Sequence, residues 1–429
     1  MSLRSWVESA NKADGDFPIQ NLPYGVARLR AQAFVGIAIG DQILNLKECA
    51  SSGLLAPLPE PVIATCRADV LNPLMALGSN AWSALRRRVT DLLSEGPQSS
   101  GVREQTAQCL VPMCEVEMLL PARIGDYTDF YASIHHATRV GKLFRPDNPL
   151  LPNYKYVPIG YHGRASSIVV SGTEIRRPSG QIKAPDAEPV FALSRSLDYE
   201  LEVGAFIGTE NSLGSSIPIA EAEEHVFGVC LVNDWSARDI QSWEYQPLGP
   251  FLAKSFATTA SPWVVPMEAL APYRVSACPR TGSDPAPLPY LSSANANADG
   301  IDVTLEVFLQ SQRMRETEMD RVLISRGNLR NLYWTIRQLV THHASNGCNL
   351  RTGDLLATGT ISGPDEGSEG CLLEMKHRSQ PITLPSGETR TFLADGDVVT
   401  FRAYAKKDGL PRIGFGECSG TVVDGVSQD

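Results

Sequence analysis

The sequence predicts a mainly β fold with a smaller share of helix, organised in more than one structural unit. Turn-forming residues are frequent, with 35 glycines and 30 prolines among 429 residues, which leaves room for few long helices. Short apolar runs rich in β-branched residues recur along the chain, as is typical of short strands. At about 150 residues per domain, the length corresponds to one large domain with a smaller partner, or to two or three domains.

Charge and cysteine content limit the classes of function. The chain has 38 Lys and Arg against 48 Asp and Glu, a formal net charge of -10, which argues against nucleic-acid binding and against docking on an anionic membrane. Its apolar runs are shorter than the ~18–20 residues that cross a bilayer, and the N-terminus lacks the apolar core of a secretory signal. Nine cysteines without a CxxC pair indicate free thiols. We therefore expect a cytoplasmic protein without nucleic-acid or membrane partners.

The first segment, residues 1–118, has the pattern of a small β-rich unit that carries helices. Runs at 32–39 and 42–46 flank the turn Gly40-Asp41 and predict two strands. In the stretch 80–94, apolar residues recur at spacings of three and four, which predicts an amphipathic helix.

Strand signals dominate from residue 119 onward. The predicted strands cover 167–170, 196–207, 226–232, 303–309 and 398–403. Two longer segments, 176–189 and 278–300, are rich in proline or small polar residues. We interpret both as mobile linkers, and the second as a flexible surface insertion.

Several common catalytic motifs are absent from the sequence. There is no GxGxxG after a strand, no GxxxxGK[ST] and no GxSxG. HExxH and the EF-hand loop are also missing. Dinucleotide-dependent oxidoreductases, P-loop NTPases and serine hydrolases are therefore disfavoured.

An acidic alternation at 197–203 is the first candidate site. In a strand, Asp198, Glu200 and Glu202 would share one face, with neighbouring side chains roughly 6.5–7 Å apart. Glu200 and Glu202 could then hold a hard divalent cation between them. Taken alone, such a string is more commonly a polar strand face exposed to solvent.

The next candidate follows the apolar run 226–232, which has the character of a strand buried on both faces. Asp234 comes at its end, where a buried carboxylate needs a partner. A helix is predicted to begin near Ser236, and its Arg238, Gln241 and Tyr245 would form one polar stripe. The stripe is consistent with a binding wall and equally with a solvated helix face.

The third candidate is the segment 126–136. Thr128 or Asp129 could cap a helix, and at most one of the adjacent His135 and His136 is expected in a given site. By composition alone, the pair at 342–343 is an equal candidate, and a single histidine is more often a satisfied polar residue than a catalyst.

Taken in order, long strings of the sequence resemble the fumarylacetoacetate hydrolase family of metal-dependent enzymes. They include DYTDFY, LDYELE and NDWSARDIQSWEYQPLGPFLAKSF. The similar segments are 17–26, 35–46, 126–131, 136–145, 151–167, 197–202, 233–256 and 341–363. Together they extend over nearly the whole chain, except its ends and the segment 278–300.

The resemblance implies a fold and a reaction. The fold would be a small SH3-like β-barrel with helices in 1–118 and a mixed β-roll catalytic domain in 119–429, in a homodimer. The reaction would be hydrolysis of a carbon–carbon bond of 4-fumarylacetoacetate to fumarate and acetoacetate, the last step of tyrosine and phenylalanine degradation. The alternatives are an acylpyruvate hydrolase or a 2-keto acid decarboxylase or hydratase of the same superfamily, and lastly a metal-binding scaffold without catalysis.

The resemblance also implies roles for individual residues. A Ca²⁺ or Mg²⁺ ion would be held by Asp129, Glu200, Glu202 and Asp234, with Lys254 and Thr258 beside it. The general base would be His136, oriented by Glu374. The oxyanion would be stabilised by Arg238, Gln241 and Lys254. The substrate would be recognised by Tyr131, Arg145, Tyr161, Gln241, Tyr245 and Thr360. One departure is Ala257, where the family more usually has glycine.

Overall fold

The structure is a computed structural model that describes residues 3–96, 100–375 and 381–426. It is mainly β with short helices, which confirms the predicted fold class. The elements of the N-terminal part are β1 (Tyr24–Leu29), β2 (Gln32–Ile39), β3 (Gln42–Asn45), α1 (Leu46–Ser51), α2 (Glu60–Thr65), α3 (Asn72–Met75), α4 (Ser79–Leu93), α5 (Ser100–Gln108), β4 (Leu110–Pro112) and β5 (Glu117–Leu119).

The next elements build the sheet that carries the acidic residues. They are β6 (Tyr127–Phe130), α6 (Ile134–Phe144), β7 (Gly160–Gly163), β8 (Ile168–Val170), β9 (Glu174–Arg176), β10 (Ser179–Ile182), β11 (Val190–Leu193), β12 (Leu197–Asp198), β13 (Leu201–Ile207), β14 (Val226–Asp234), β15 (Ser236–Ala237), α7 (Arg238–Glu244), β16 (Thr258–Ala260), β17 (Val265–Pro266) and α8 (Met267–Leu270).

The last elements complete the C-terminal part. They are β18 (Arg274–Val275), β19 (Gly300–Ile301), β20 (Thr304–Gln310), α9 (Gln312–Glu316), β21 (Val322–Asn328), α10 (Ile336–Ala344), β22 (Leu355–Ala357), α11 (Leu372–Met375), β23 (Ile382–Thr383), β24 (Thr389–Arg390), β25 (Val398–Ala405) and β26 (Ile413–Val423). None of the helices in the described ranges has the length and apolar character needed to cross a membrane.

The N-terminal part contains an antiparallel sheet in the order β4-β3-β2-β1-β5. Gly40, at φ +60°, allows the tight turn between β2 and β3. The helix α4 buries the apolar face that its spacing predicts. The proposed division between residues 118 and 119 falls within β5, which pairs with β1. That division and the SH3-like topology stay predictions.

An eight-stranded sheet forms the centre of the molecule. Its main path is β7-β6-β22-β13-β14-β16-β8, and β17 pairs with β14. Successive residues of β14 alternate between two hydrophobic cores: Val232 packs in the core of the N-terminal part, and Leu231 in that of the C-terminal part. Both faces of the sheet are therefore buried, and polar side chains at its strand ends are removed from bulk water.

A second sheet, in the order β21-β20-β25-β26-β9, packs behind the first. The two long segments interpreted as mobile linkers both contain residues with defined contacts, and their mobility stays a prediction. The first contains β10, which pairs with β11. In the second, Leu291 is fully buried, and its carbonyl accepts a hydrogen bond from Gln338 Nε2 at 3.0 Å. The guanidinium of Arg280 lies 4.3 Å from the ring centre of Tyr333, so the second segment is anchored at these points, while most of its residues between 281 and 298 are exposed.

Candidate active site

Four carboxylates from three strands and one connection meet at the ends of interior strands of the eight-stranded sheet. Asp129 lies in β6, Glu200 between β12 and β13, Glu202 in β13, and Asp234 at the end of β14. Their ligand oxygens lie within 4.8 Å of one another, and each residue is at most 4% exposed. The alternative that Glu200 and Glu202 lie on a strand face exposed to solvent is therefore wrong, because both faces of the sheet are buried. Asp129 and Thr128 lie in a strand and do not cap a helix.

The negative charges of two of these carboxylates are poorly balanced by groups of the protein. Burial, and then the charges of neighbouring carboxylates, raise the pKa of Asp129 and of Glu202 well above the usual range. Within the described residues, Asp129 Oδ1 and Glu202 Oε1 are buried without a hydrogen-bond partner. A buried set of oxygen donors with unsatisfied atoms fits a hard divalent cation such as Ca²⁺ or Mg²⁺.

The other two carboxylates are paired with cations. Lys254 Nζ lies 2.6 Å from Glu200 Oε2 and 2.6 Å from Asp234 Oδ2. Burial opposes the ionisation of Glu200, but Arg238 and Lys254 outweigh it and lower its pKa. These pairs favour the charged form of Glu200.

Two hydroxyls complete the surroundings of Asp234. Thr258 Oγ1 donates to Asp234 Oδ1 at 2.9 Å, and Tyr161 OH donates to Asp234 Oδ2 at 2.8 Å. Thr258 thus lies where the resemblance implies, beside the acidic cluster. Tyr161, expected among the substrate-binding residues, is bonded to a residue of that cluster.

Arg238 begins α7 with its guanidinium held from several sides. Its Nε donates to Asp198 Oδ2 at 2.9 Å, and its Nη1 lies 2.5 Å from Glu200 Oε1. The same Nη1 donates to Gln241 Oε1 at 3.0 Å, as the predicted polar stripe allows. Nη2 is buried with no hydrogen-bond partner in the part of the chain described, so this N–H group is available to a ligand.

His136 lies in the first turn of α6, a helix capped by Ser133. Its Nδ1 is 2.7 Å from Glu374 Oε1, and both side chains are buried. Burial raises the pKa of Glu374, but His136, Ser362 and Arg139 together lower it to about 2. The carboxylate can only accept, so Nδ1 donates the hydrogen bond and Nε2 is left free to accept a proton.

The other candidate histidines have different surroundings. His343 Nε2 bonds with Thr128 Oγ1 at 2.8 Å, and His342 Nδ1 with Tyr290 OH at 3.0 Å. Among the described residues, neither His342 nor His343 forms an ion pair with a carboxylate, whereas His136 does. Of these three histidines, His136 is the one whose ring nitrogen is held by a buried carboxylate.

The remaining substrate-binding candidates are spread more widely. Tyr131 packs against His136 with ring centres 5.4 Å apart. Thr360 follows Gly359, whose N–H donates to Glu202 Oε2 at 3.1 Å. Tyr245 follows the last residue of α7 and is 36% exposed. Arg145 is also exposed, and its Nη2 donates to the carbonyl of Pro149 at 3.2 Å. Tyr131 thus lies beside His136 and Thr360 lies next to the residue that contacts Glu202, whereas Arg145 is on the surface.

Asp198 connects two parts of the site and has no role in the sequence-based prediction. It is fully buried; its Oδ1 accepts from Leu372 N at 2.8 Å, and its Oδ2 from Leu373 N at 2.9 Å. The same carboxylate holds Arg238. The acidic alternation singles out Asp198, but its partners in α11 lie more than 170 residues further along the chain, where no local pattern indicates them.

Comparison with known proteins places this geometry in context. Residues 20–121 match the family described as fumarylacetoacetase N-terminal, and residues 126–423 match fumarylacetoacetate (FAA) hydrolase C-terminal. A fumarylacetoacetase of Caenorhabditis elegans is 50% identical over 420 residues, which are 96% of this chain and 97% of the relative. A fumarylacetoacetase of Homo sapiens is 48% identical over 421 residues, with coverage of 96% and 97%.

A solved structure supports the fold. It is a fumarylacetoacetate hydrolase from the psychrophilic bacterium Exiguobacterium antarcticum, with a TM-score of 0.52 and 18% sequence identity. The match covers 94% of this chain and 99% of that chain. At this level of identity the similarity concerns the fold alone.

Proposed function

The chain belongs to the fumarylacetoacetate hydrolase family over both its N-terminal and its C-terminal parts. From this premise we propose that its buried polar residues carry out the family reaction in the roles given below. The chain is a hydrolase of carbon–carbon bonds that cleaves 4-fumarylacetoacetate to fumarate and acetoacetate, the last step of tyrosine and phenylalanine degradation. The observation that carries the mechanism is the buried His136–Glu374 pair near the four-carboxylate cluster.

The four carboxylates hold a divalent cation, Ca²⁺ or Mg²⁺. Support comes from the all-oxygen donor set and from Asp129 Oδ1 and Glu202 Oε1, which have no hydrogen-bond partner in the described part of the chain. When bound, the cation supplies Lewis-acid stabilisation of negative charge that develops on the substrate oxygens. Lys254 and Thr258 orient the carboxylates from outside.

His136 takes a proton from water at Nε2. Glu374 keeps the Nδ1–H tautomer in place and stabilises the imidazolium that forms. A positioned proton transfer of this kind is typically worth about 10²–10⁴-fold in rate. The same imidazolium then gives its proton to the departing carbon, so the proton removed from water ends on the leaving product.

Arg238, Gln241 and Lys254 stabilise the oxyanion. Arg238 Nη2 supports this role because it is buried and, within the described ranges, free to donate. Gln241 uses its oxygen toward Arg238 and keeps its amide hydrogens for a ligand. Loss of one fixed donor of this kind typically costs ~2.7–4 kcal/mol of transition-state stabilisation.

Substrate recognition is assigned to the aromatic and polar residues around this centre. They are Tyr131, Arg145, Tyr161, Gln241, Tyr245 and Thr360. The substrate is a dicarboxylate, and an arginine fork matches a carboxylate bidentately. Arg145 follows the last residue of α6 and is exposed, so its guanidinium is accessible to a carboxylate of the substrate.

We also propose that the protein works as a cytoplasmic homodimer. Exposed apolar side chains at Val190, Phe191, Leu248 and Phe251 offer surface for such an interface. All nine cysteines are free, as expected in a reducing compartment. Sedimentation velocity of the purified protein tests the dimer, and a monomer at micromolar concentration would refute it.

The experiment that tests the function is a substrate panel on the purified protein. We expect fumarylacetoacetate to yield equal amounts of fumarate and acetoacetate, faster than acylpyruvates or 2-keto acids are consumed. Glu200→Gln and Asp234→Asn should lower metal content and turnover together, because each removes charge from the shared cluster. A preference for an acylpyruvate, or full metal content and turnover in both variants, would overturn the proposal.

A further inference from the structure

A thiol lies beside the His136–Glu374 pair and has no part in the hydrolysis described above. Cys371 Sγ is 3.4 Å from Glu374 Oε1, the same oxygen that lies 2.7 Å from His136 Nδ1. Ligand atoms of the three side chains lie within 4.8 Å of one another, and all three residues are buried. An imidazole, a thiol and a carboxylate are thus gathered within reach of one small ion.

This group has a different chemistry from the acidic cluster. The four carboxylates offer oxygen alone and suit hard cations. His136, Cys371 and Glu374 offer nitrogen, sulfur and oxygen, the donor types that bind Zn²⁺, and three protein ligands leave a fourth position open. The chain therefore holds two neighbouring ligand sets of different softness.

We propose that His136, Cys371 and Glu374 form a second metal site that binds Zn²⁺ and inhibits the enzyme by withdrawing its general base. The thiolate is the binding form of cysteine, so binding releases the thiol proton to solvent. The thiolate and Glu374 then balance the two positive charges of the ion. Arg139 Nη1, 3.3 Å from Glu374 Oε2, opposes binding and limits the affinity.

Inhibition follows whichever imidazole nitrogen binds. If Zn²⁺ takes Nε2, it occupies the lone pair that would accept the proton of water. If it takes Nδ1, the imidazole proton moves to Nε2, which then cannot accept another. The inhibitory consequence rests on the proposed role of His136, whereas binding itself depends only on the three side chains.

Binding is tested with Co²⁺ as a spectroscopic substitute for Zn²⁺, on the full chain in excess Mg²⁺ so that the acidic cluster is saturated. We expect a near-ultraviolet thiolate-to-Co²⁺ charge-transfer band. The band should persist in Cys348→Ser, a half-buried cysteine outside the group, and be lost in Cys371→Ser. Absence of the band in the wild type, or its persistence in Cys371→Ser, would overturn the site. Cys371→Ala replaces Cys371→Ser if the latter does not fold.

Inhibition is tested by Zn²⁺ titration of fumarylacetoacetate hydrolysis, again in excess Mg²⁺. Each variant is compared with its own turnover without Zn²⁺. We expect the half-inhibitory Zn²⁺ concentration to rise by about 10–100-fold or more in Cys371→Ser, since a ligand is lost. Equal inhibition of both proteins would place Zn²⁺ elsewhere and overturn the proposal. A Co²⁺ band without any hydrolysis of fumarylacetoacetate would retain the metal site and refute the proposed function instead.

Discussion

At the scale of single residues, the adjacent histidines of α6 provide an internal control. We expect His136→Ala to lower turnover by about 10²–10⁴-fold, because a positioned base is lost. His135→Ala should behave as a surface change, since Glu374 pairs with His136. The measurement is the turnover number at saturating Mg²⁺.

Glu374 should act through His136. Glu374→Gln should lower turnover without loss of metal, and the double variant should be barely slower than His136→Ala, because residues that act as a unit are not additive. Full additivity of the two losses, or a larger effect at His135, would show that the catalytic pair is wrong.

Glu374 also predicts a pH dependence of stability. Its pKa is about 2 in the folded protein and near 4.5 in the unfolded chain, where it has no partners. The stabilisation is therefore complete above pH ~4.5 and is lost as the pH falls toward 2. The free energy of unfolding of Glu374→Gln should be lower than that of the wild type by up to about 3 kcal/mol at pH ~6, at 1.36 kcal/mol per pKa unit. Urea unfolding at decreasing pH should show this difference shrink; a constant difference would contradict it.

At the scale of elements, Asp198 joins α7 to α11 as a positioning residue. In Asp198→Asn, an amide cannot accept all the hydrogen bonds of the carboxylate, so Arg238 and the turn that carries Glu374 lose a common anchor. A hydrogen bond to a charged group is worth ~1.5–3 kcal/mol. We expect kcat to fall by roughly 10–100-fold at unchanged metal content.

Asp239 is the matched control for Asp198. It lies in α7 directly after Arg238, but its carboxylate accepts hydrogen bonds from Ser194 Oγ at 2.6 Å and Arg195 N at 2.7 Å and none from Arg238 among the described residues. Asp239→Asn should lower thermal stability with little change in kcat. Equal losses of kcat in the two variants would mean that Asp198 has only a structural role.

The segment 278–300 shows where composition misleads at this scale. Its proline and small polar residues indicate a loop, and they do so correctly, but they cannot indicate that Leu291 finds a buried site against α10. Leu291→Ala should cost ~2–5 kcal/mol of unfolding free energy, as for other buried leucines. Leu288→Ala, at 48% exposure in the same segment, should cost little. Similar losses of unfolding free energy in the two variants, measured by chemical denaturation, would refute the buried packing of Leu291.

Local patterns predicted the elements well. The run 32–39 is β2 with the same bounds, and the spacing at 80–94 is α4 to within one residue, because both depend on short-range periodicity. The burial of Glu200 and Glu202 could not be predicted from their alternation, because it depends on the N-terminal part covering the opposite face of the sheet. Glu374 lies 238 residues from His136, so only the family resemblance indicated the pair.

At the scale of the whole molecule, the two parts of the chain share the central sheet. Tyr24 of β1 forms a β-bridge with Val264, and its ring lies 5.1 Å from that of Phe227 in β14. The N-terminal part therefore supports the strands whose ends carry the acidic cluster. Burial on both faces also leaves Asp129 Oδ1 and Glu202 Oε1 without a hydrogen-bond partner among the described residues, and both oxygens are available to a cation.

The central claim is that the acidic cluster and the His136–Glu374 pair act as one metal-dependent hydrolytic site. The most direct measurement is the fall in fumarylacetoacetate absorbance with protein treated with EDTA, followed by addition of Mg²⁺ or Ca²⁺. We predict that EDTA abolishes turnover, that either ion restores it in the wild type, and that neither restores it in Asp234→Asn. Full turnover by protein that elemental analysis shows to be free of metal would contradict the account.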